Sequence, residues 1–178
     1  MILGIDKLHK LVKDKKLVEN LCQRELENPE GAGFDLRLGE IYELKSNSFL
    51  GVEERKTPDI NLLAEFKDRK QSFIFKPGKY YLMRTVERVN TPEDIMIIFR
   101  PRTTVFRSGM MIFTGNVAPG YCGKLIFGII NLGPVDVEIE LGARVVHAMF
   151  YKIDGKTHLY KGQWQNGRVT SKKKEKQI

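Results

Sequence analysis

The sequence predicts a mostly β domain, a distorted barrel or jelly-roll, with one helix in front. Three observations predict it. Apolar residues recur at helical spacing only near the N-terminus. From Phe34 the period drops to two. Beyond it, short apolar runs follow one another, each closed by a turn containing Gly, Pro or Asn. Many short strands at such spacing are buried by closing or stacking a sheet.

Ile5, Leu8, Leu11 and Val12 predict a helix over 5–21, with Asp6 in the first turn, where the helix dipole favours it. Asp14-Lys15-Lys16 interrupts that pattern before a second apolar set, Leu17, Val18 and Leu21. Asn28-Pro29-Glu30-Gly31 is a turn. Phe34, Leu36 and Leu38, then Ile41 and Leu44 beyond a turn expected at Gly39-Glu40, suggest strands with alternate side chains buried. Asp35 and Arg37 share the opposite face, and the plain reading is a solvent-facing pair. Residues 45–72 are charged and loop-like, a surface excursion with a turn at Thr57-Pro58-Asp59. Strands are then expected at 72–75, 80–86, 95–99, 110–113, 124–130, 135–140 and 144–153. Turns at Lys76-Pro77-Gly78, Asn90-Thr91-Pro92, Gly133-Pro134 and Leu141-Gly142 separate them, and no segment repeats another.

A chain of 178 residues, 42% hydrophobic, suits a single domain with a sizeable core. That domain is expected over residues 1–170. Residues 171–178, half of them Lys, form a basic tail expected to be disordered. No apolar run approaches the roughly 20 residues of a membrane span. Met1-Ile2-Leu3-Gly4 leads into charge without a secretory apolar region. Cys22 and Cys122 lie far apart, without metal-type spacing. They read as small buried residues in a reducing compartment, with a catalytic thiol as the alternative. The expectation is a cytoplasmic protein with no membrane partner. The net charge of +8 invites nucleic acid. Much of it sits in the tail, however, and no strand face interleaves aromatic with basic residues. Nucleic acid is therefore not the expected partner.

The chemistry gathers between Ile98 and Asn131. A short strand runs into Arg100-Pro101-Arg102-Thr103-Thr104, with Arg107 and Gly109 beyond. An apolar run and a turn, Thr114-Gly115-Asn116-Val117-Ala118-Pro119-Gly120-Tyr121, lead into the next strand. Two guanidinium groups and two hydroxyls between Arg102 and Arg107 suit an anion with several oxygens. The alternative is a structural salt-bridge network.

These residues carry a family resemblance. Pro101-Arg102-Thr103-Thr104, then Arg107, Gly109, Gly120-Tyr121, Gly123 and Asn131, resemble the core motif of the trimeric dUTPase and dCTP deaminase superfamily. Gly33-Phe34-Asp35-Leu36-Arg37-Leu38-Gly39 resembles an early segment of the deaminase branch, and Tyr160-Lys161-Gly162-Gln163-Trp164-Gln165 its closing tail. The resemblance implies a β-barrel of the trimeric dUTPase type, a homotrimer with sites at subunit boundaries, dUTP or dCTP as ligand, and Mg²⁺ carried through the triphosphate. It implies that Arg102, Thr103, Thr104 and Arg107 bind phosphates, that Asn116, Val117 and Ala118 read the pyrimidine edge, and that Tyr121 lies beneath the deoxyribose. Tyr160, Lys161 and Gln163 would fold over the triphosphate as a lid, which excludes water. Trp164, the only Trp, reads equally as part of that lid or as a packing residue. For Asp35 and Arg37 it implies a structural role near subunit contacts.

The catalytic acids do not transfer. The dUTPase Asp that orients the attacking water falls at Ala118, and the deaminase Glu that shuttles protons falls at Gly128. His147, where relatives usually carry Gln, is a further candidate base, set against its reading as a hydrogen-bonded structural residue. Asp136 and Glu138 alternate with Val135 and Val137 as on an exposed strand face, and receive no catalytic role. The expected function is binding of a deoxypyrimidine triphosphate, with dUTP hydrolysis to dUMP and pyrophosphate, or dCTP deamination. The alternative is a catalytically silent nucleotide-binding homologue.

Overall fold

The computed structural model describes residues 1–67 and 70–177. Residues 68, 69 and 178, at the edge of the expected excursion and the end of the expected tail, lie outside the described residues. In chain order the elements are α1 (Ile5–Lys15), β1 (Val18–Glu19), α2 (Gln23–Glu27), β2 (Phe34–Leu44), β3 (Phe49–Leu50), β4 (Glu54–Lys56) and β5 (Ile60–Glu65). There follow β6 (Ser72–Phe75), β7 (Tyr80–Asn90), β8 (Ile95–Pro101), α3 (Thr103–Arg107), β9 (Met110–Phe113), β10 (Asn116–Val117), β11 (Cys122–Asn131), β12 (Val137–Glu140), β13 (Arg144–Lys152) and β14 (Glu175–Lys176).

Among the described residues the strands form a nine-stranded sheet in the order β10-β8-β13-β2-β7-β11-β9, with β1 added to β7 and β5 to β2. Every pairing is antiparallel. The sheet curls into a half-barrel behind the N-terminal helix, the mostly β class that the apolar pattern predicts. Phe34, Leu36, Leu38, Ile97, Phe99, Phe127 and Phe150 fill its interior.

The helix ends earlier than its spacing predicts. Lys16 adopts the left-handed conformation (φ 52°) and donates its N–H back to Val12 O, while Leu17 N reaches Leu11 O. That geometry satisfies the last carbonyls and turns the chain, so Leu17 and Val18 enter the core from β1 rather than from the helix. The turn expected at Gly39-Glu40 is instead a bulge inside one continuous strand: the register with β7 shifts between Leu38 and Glu40. A Cβ at Gly39 would lie 2.8 Å from the Thr85 carbonyl carbon, so glycine admits the close approach of β7. Residues 45–72, expected to be loop, contribute β3, β4 and β5.

The C-terminal segment does not hang free. Glu175–Lys176 pair with β4, and Gln177 N donates to Glu53 O at 2.8 Å. Ser171 is buried, exchanging hydrogen bonds with Thr57 at 2.8 and 2.9 Å. A disordered tail was expected from composition; main-chain pairing to the excursion supplies the order that its side chains do not.

Candidate functional site

Two cavities divide the residues that the sequence singled out. The first, about 550 Å³, is lined by Asn116, Val117, Ala118, Tyr121 and Tyr160, together with Phe99, Tyr80 and Trp164. Its floor is built by β10, which pairs Asn116 with Ile98 and Val117 with Ile97 at the sheet edge. The turn Ala118-Pro119-Gly120 then carries the chain to β11, with Gly120 at φ 78° supplying the left-handed step. Tyr121 is buried; its hydroxyl donates to Lys124 O at 3.0 Å, and burial pushes its pKa up to about 12. It is a neutral wall at any physiological pH.

Tyr160 belongs to this first cavity rather than to a phosphate cluster. Its ring meets Tyr121 edge-on with centroids 5.3 Å apart, and its N–H donates to Pro119 O at 2.7 Å. The tail behind it is fastened by Gln165, whose amide donates to Gly120 O (3.0 Å) and whose carbonyl accepts from Cys122 N (2.8 Å). Trp164 sits between Arg55 and Arg168, with guanidinium carbons 5.4 and 5.9 Å from its ring centre. Gln163 is engaged by Arg55, Glu175 and the Lys176 carbonyl, away from both cavities, and Lys161 is exposed.

The second cavity, about 420 Å³, is lined by Arg102, Thr103, Thr104, Asp35, His147 and Glu30. Arg102 N donates to Val145 O, so the chain leaving β8 stays beside β13 and delivers Arg102 to the centre of a charge cluster. Asp35 Oδ2 accepts from Arg144 Nη1 and is ion-paired with Arg102 Nε, each at 3.0 Å, and Asp35 Oδ1 lies 2.9 Å from His147 Nδ1. Beneath them Glu25, 1% exposed, accepts from the Asp35 backbone N at 2.9 Å and from Arg24 and Arg144. Burial alone would raise the Asp35 pKa. The His147 hydrogen bond and the fields of Arg102 and Arg144 outweigh it and hold the carboxyl below its ordinary range. The solvent-facing pair expected of Asp35 and Arg37 is corrected here. Strand β2 lies inside the sheet with both faces covered, and Arg37 donates to the fully buried Glu87 at 2.6 Å.

Thr103 and Thr104 open α3 with their side chains exposed, and Arg107 projects into solvent from its last turn. The structure thus brings Arg102, Thr103 and Thr104 together with His147, and Asn116, Val117, Ala118 and Tyr121 together with Tyr160. It leaves Arg107, Lys161 and Gln163 outside both groups.

The two positions stripped of carboxylates differ. Ala118 lines the first cavity. Gly128 lies under Tyr80: a Cβ there would stand 2.2 Å from the Tyr80 hydroxyl oxygen. Tyr80 and Phe113 flank that glycine from the neighbouring strands, with ring centroids 6.1 Å apart. Burial raises the Tyr80 pKa, so the group standing where a carboxylate would begin is a neutral phenol. Sequence reasoning passed over Tyr80, Glu25 and Glu87, and gave Gln165 a place in the tail motif but no role. Glu87 alone carried a signal, a carboxylate at an inward position of the alternation Met83, Thr85, Glu87, Val89.

Comparisons with known proteins bear on the family and the fold. Residues 2–153 match the dCTP deaminase-like family. The chain is 26% identical over 158 residues to a dUMP-forming dCTP deaminase of Dictyoglomus turgidum, covering 86% of this chain and 81% of the relative. It is 28% identical over 165 residues to a probable deoxyuridine 5'-triphosphate nucleotidohydrolase of Methanothermobacter thermautotrophicus, covering 93% and 99%. The crystal structure of a 2'-deoxycytidine 5'-triphosphate deaminase from Agrobacterium tumefaciens superposes with a TM-score of 0.65 at 17% identity, over 84% of this chain and 47% of that one, a likeness of fold. The match over residues 2–153, most of its length, shows that the chain belongs to the dCTP deaminase-like family.

Proposed function

We propose that the chain binds a deoxypyrimidine nucleoside triphosphate, with base and sugar in the cavity floored by Asn116–Ala118. One observation carries this reading: an apolar cavity of nucleoside size walled by Tyr121 and Tyr160 and edged by β10, whose Asn116 is exposed. The phosphates go to Arg102, Thr103 and Thr104, which open the second cavity. Because the two cavities are separate in one chain, a complete site joins the first cavity of one subunit to the second of its neighbour, as in a homotrimer. The apolar strip of Tyr80, Met111 and Phe113, each at least 41% exposed, suits that subunit contact.

Among the described residues no cluster of three His, Cys, Asp or Glu side chains is placed to hold a metal. Asp35 is already shared by Arg102, Arg144 and His147. Mg²⁺ would arrive as the counter-ion of the triphosphate, neutralising its charge.

Of the two chemistries, hydrolysis of dUTP to dUMP and pyrophosphate fits better than deamination, because a neutral Tyr80 fills the ground over Gly128. Ala118 favours a second reading, a silent nucleotide-binding homologue, since a methyl group orients no water. Calorimetry with dUTP and dCTP, beside pyrophosphate and ammonia release, tests both readings. Binding of dUTP with pyrophosphate release supports the first, and binding without release the second. No binding of either nucleotide to the assembled oligomer refutes the proposal.

A further inference from the structure

We propose that His147, oriented by Asp35, is the general base of the phosphate cavity, an inference that rests on the triphosphate reading above. The two residues occupy directly paired positions on β13 and β2, and His147 Nδ1 lies 2.9 Å from Asp35 Oδ1. Asp35 is 3% exposed and is held on its other oxygen by Arg102 and Arg144, so its position is fixed both from β13 and from the chain beyond β8. A carboxylate kept ionised in this way accepts the Nδ1 proton and leaves the lone pair on Nε2. An imidazole whose far nitrogen is held by a third group is the arrangement that serves proton abstraction in unrelated enzymes. Nε2 lies beside the buried Gly33, where any Cβ would come within 2.7 Å of it, and the His147 side chain keeps 25% of its surface exposed. Finally, His147 lines the same cavity as Arg102, Thr103 and Thr104.

No other group in that cavity is as well placed. Asp35 has its oxygens committed, and Glu30 belongs to an exposed turn. The charged groups around the imidazole are Asp35 on β2, Arg144 on its own strand, and Arg102 and Arg100 from β8 and the chain beyond it, Arg100 being its directly paired neighbour. Glu25 and Arg24 of α2, with Glu30 after it, complete the cluster. His9, the nearest imidazole of α1, is bonded instead to the Glu25 carbonyl at 3.1 Å.

The step balances as follows. Water attacks the α-phosphorus while Nε2 takes one of its protons. The new oxygen–phosphorus bond forms, and the bond from that phosphorus to the oxygen bridging the β-phosphate breaks. Pyrophosphate leaves with the electron pair, the deoxynucleoside monophosphate remains, and the imidazolium, stabilised by ionised Asp35, later loses its proton to solvent.

The test is the pH profile of pyrophosphate release from dUTP with Mg²⁺, across about pH 5.5 to 8.5, for the unmodified protein, His147→Gln and His147→Ala. The unmodified rate should rise with pH and level off once the base is unprotonated. His147→Gln should lose about 100-fold or more in kcat along with that rise, while its dUTP affinity by calorimetry changes by no more than a few-fold. Added imidazole should restore part of the His147→Ala rate. Unchanged turnover and profile in His147→Gln would overturn the proposal. So would a flat profile in the unmodified protein, which needs no variant to fold, or dUTP binding without any release. Failure to bind dUTP at all would instead bring down the triphosphate reading on which it rests.

Discussion

Restoring a carboxylate at residue 128 should destabilise the protein, because Tyr80 occupies its space. In Gly128→Glu the new Cβ would stand 2.2 Å from the Tyr80 oxygen and 2.8 Å from its ring carbon Cζ. Relief requires the half-exposed ring to swing outward by more than 1 Å, roughly the gap to an ordinary 3.4–4 Å contact. It then gives up its packing on Phe113, worth about 0.5–1.5 kcal/mol, and the carboxylate enters a buried position. The sum is about 2–3 kcal/mol, or a fall of roughly 4–12 °C in Tm for a domain of this size. The assay is thermal unfolding at fixed protein concentration for Gly128→Glu, Tyr80→Ala and the double variant. The double variant should recover at least about 1 kcal/mol relative to the sum of the singles. A Gly128→Glu melt at the unmodified temperature, or strict additivity in the cycle, refutes the reasoning.

Other consequences are equally measurable. Glu25→Ala strands Arg24 and Arg144 above a buried hole and removes the acceptor of the Asp35 backbone N–H. It should cost about 3–5 kcal/mol in urea unfolding, and a loss under 1 kcal/mol would contradict the cluster described. Asp35 and Glu40 are held below the ordinary carboxylate range, chiefly by His147 and Arg102 for the first and Arg84 and Tyr42 for the second, against the upward push of burial. Their contribution is therefore present above that range and lost as pH falls through the folded values. Asp35→Asn should flatten the decline of the urea midpoint between about pH 5 and 3, and an unchanged slope would speak against it. Glu87 runs the other way: burial lifts its pKa despite Arg37, so ionising it removes stability as pH rises above the ordinary range. Gly123→Ala sets a Cβ 2.3 Å from the Gly167 backbone N. It should loosen the tail, seen as a red shift of Trp164 emission and faster tryptic cleavage after Arg168; emission and cleavage at unmodified levels would refute the contact.

What the sequence disclosed and what it withheld divide along physical lines. Alternation from Phe34 onward identified the sheet, because period two is a local property and the interior residues Phe34, Leu36 and Leu38 obey it. The bulge at Gly39 could not be read locally, since a glycine that closes a turn and one that admits a neighbouring strand look alike until Thr85 is in view. Asp35 and Arg37 were misread because polar alternation indicates an exposed face only when a strand has one, and β2 is covered on both. The phosphate motif gave up its local members, Arg102 to Thr104, whose proximity is written in the chain. It did not disclose that Asp35 and His147 stand across from Arg102, 67 and 45 residues away, because that depends on β13 lying between β2 and β8. Composition likewise described the side chains of the tail and missed its backbone, which pairs regardless of lysine content.

The pairing of β14 with β4 joins the two parts of the chain with the least core of their own. Neither the excursion nor the tail contributes a strand to the large sheet through β3, β4 or β14; their three short strands form a separate sheet. Thr57 with Ser171 and Gln177 with Glu53 link them, so neither can open while the other stays closed. They constitute one cooperative unit with an opening free energy below that of the barrel. In hydrogen exchange the amides of Thr57, Ser171 and Gln177 should lose protection together, ahead of those in β2, β7 and β11. The same unit lines the first cavity through Thr57, Pro58, Trp164, Arg168 and Thr170, so an opening of it would widen access to that cavity.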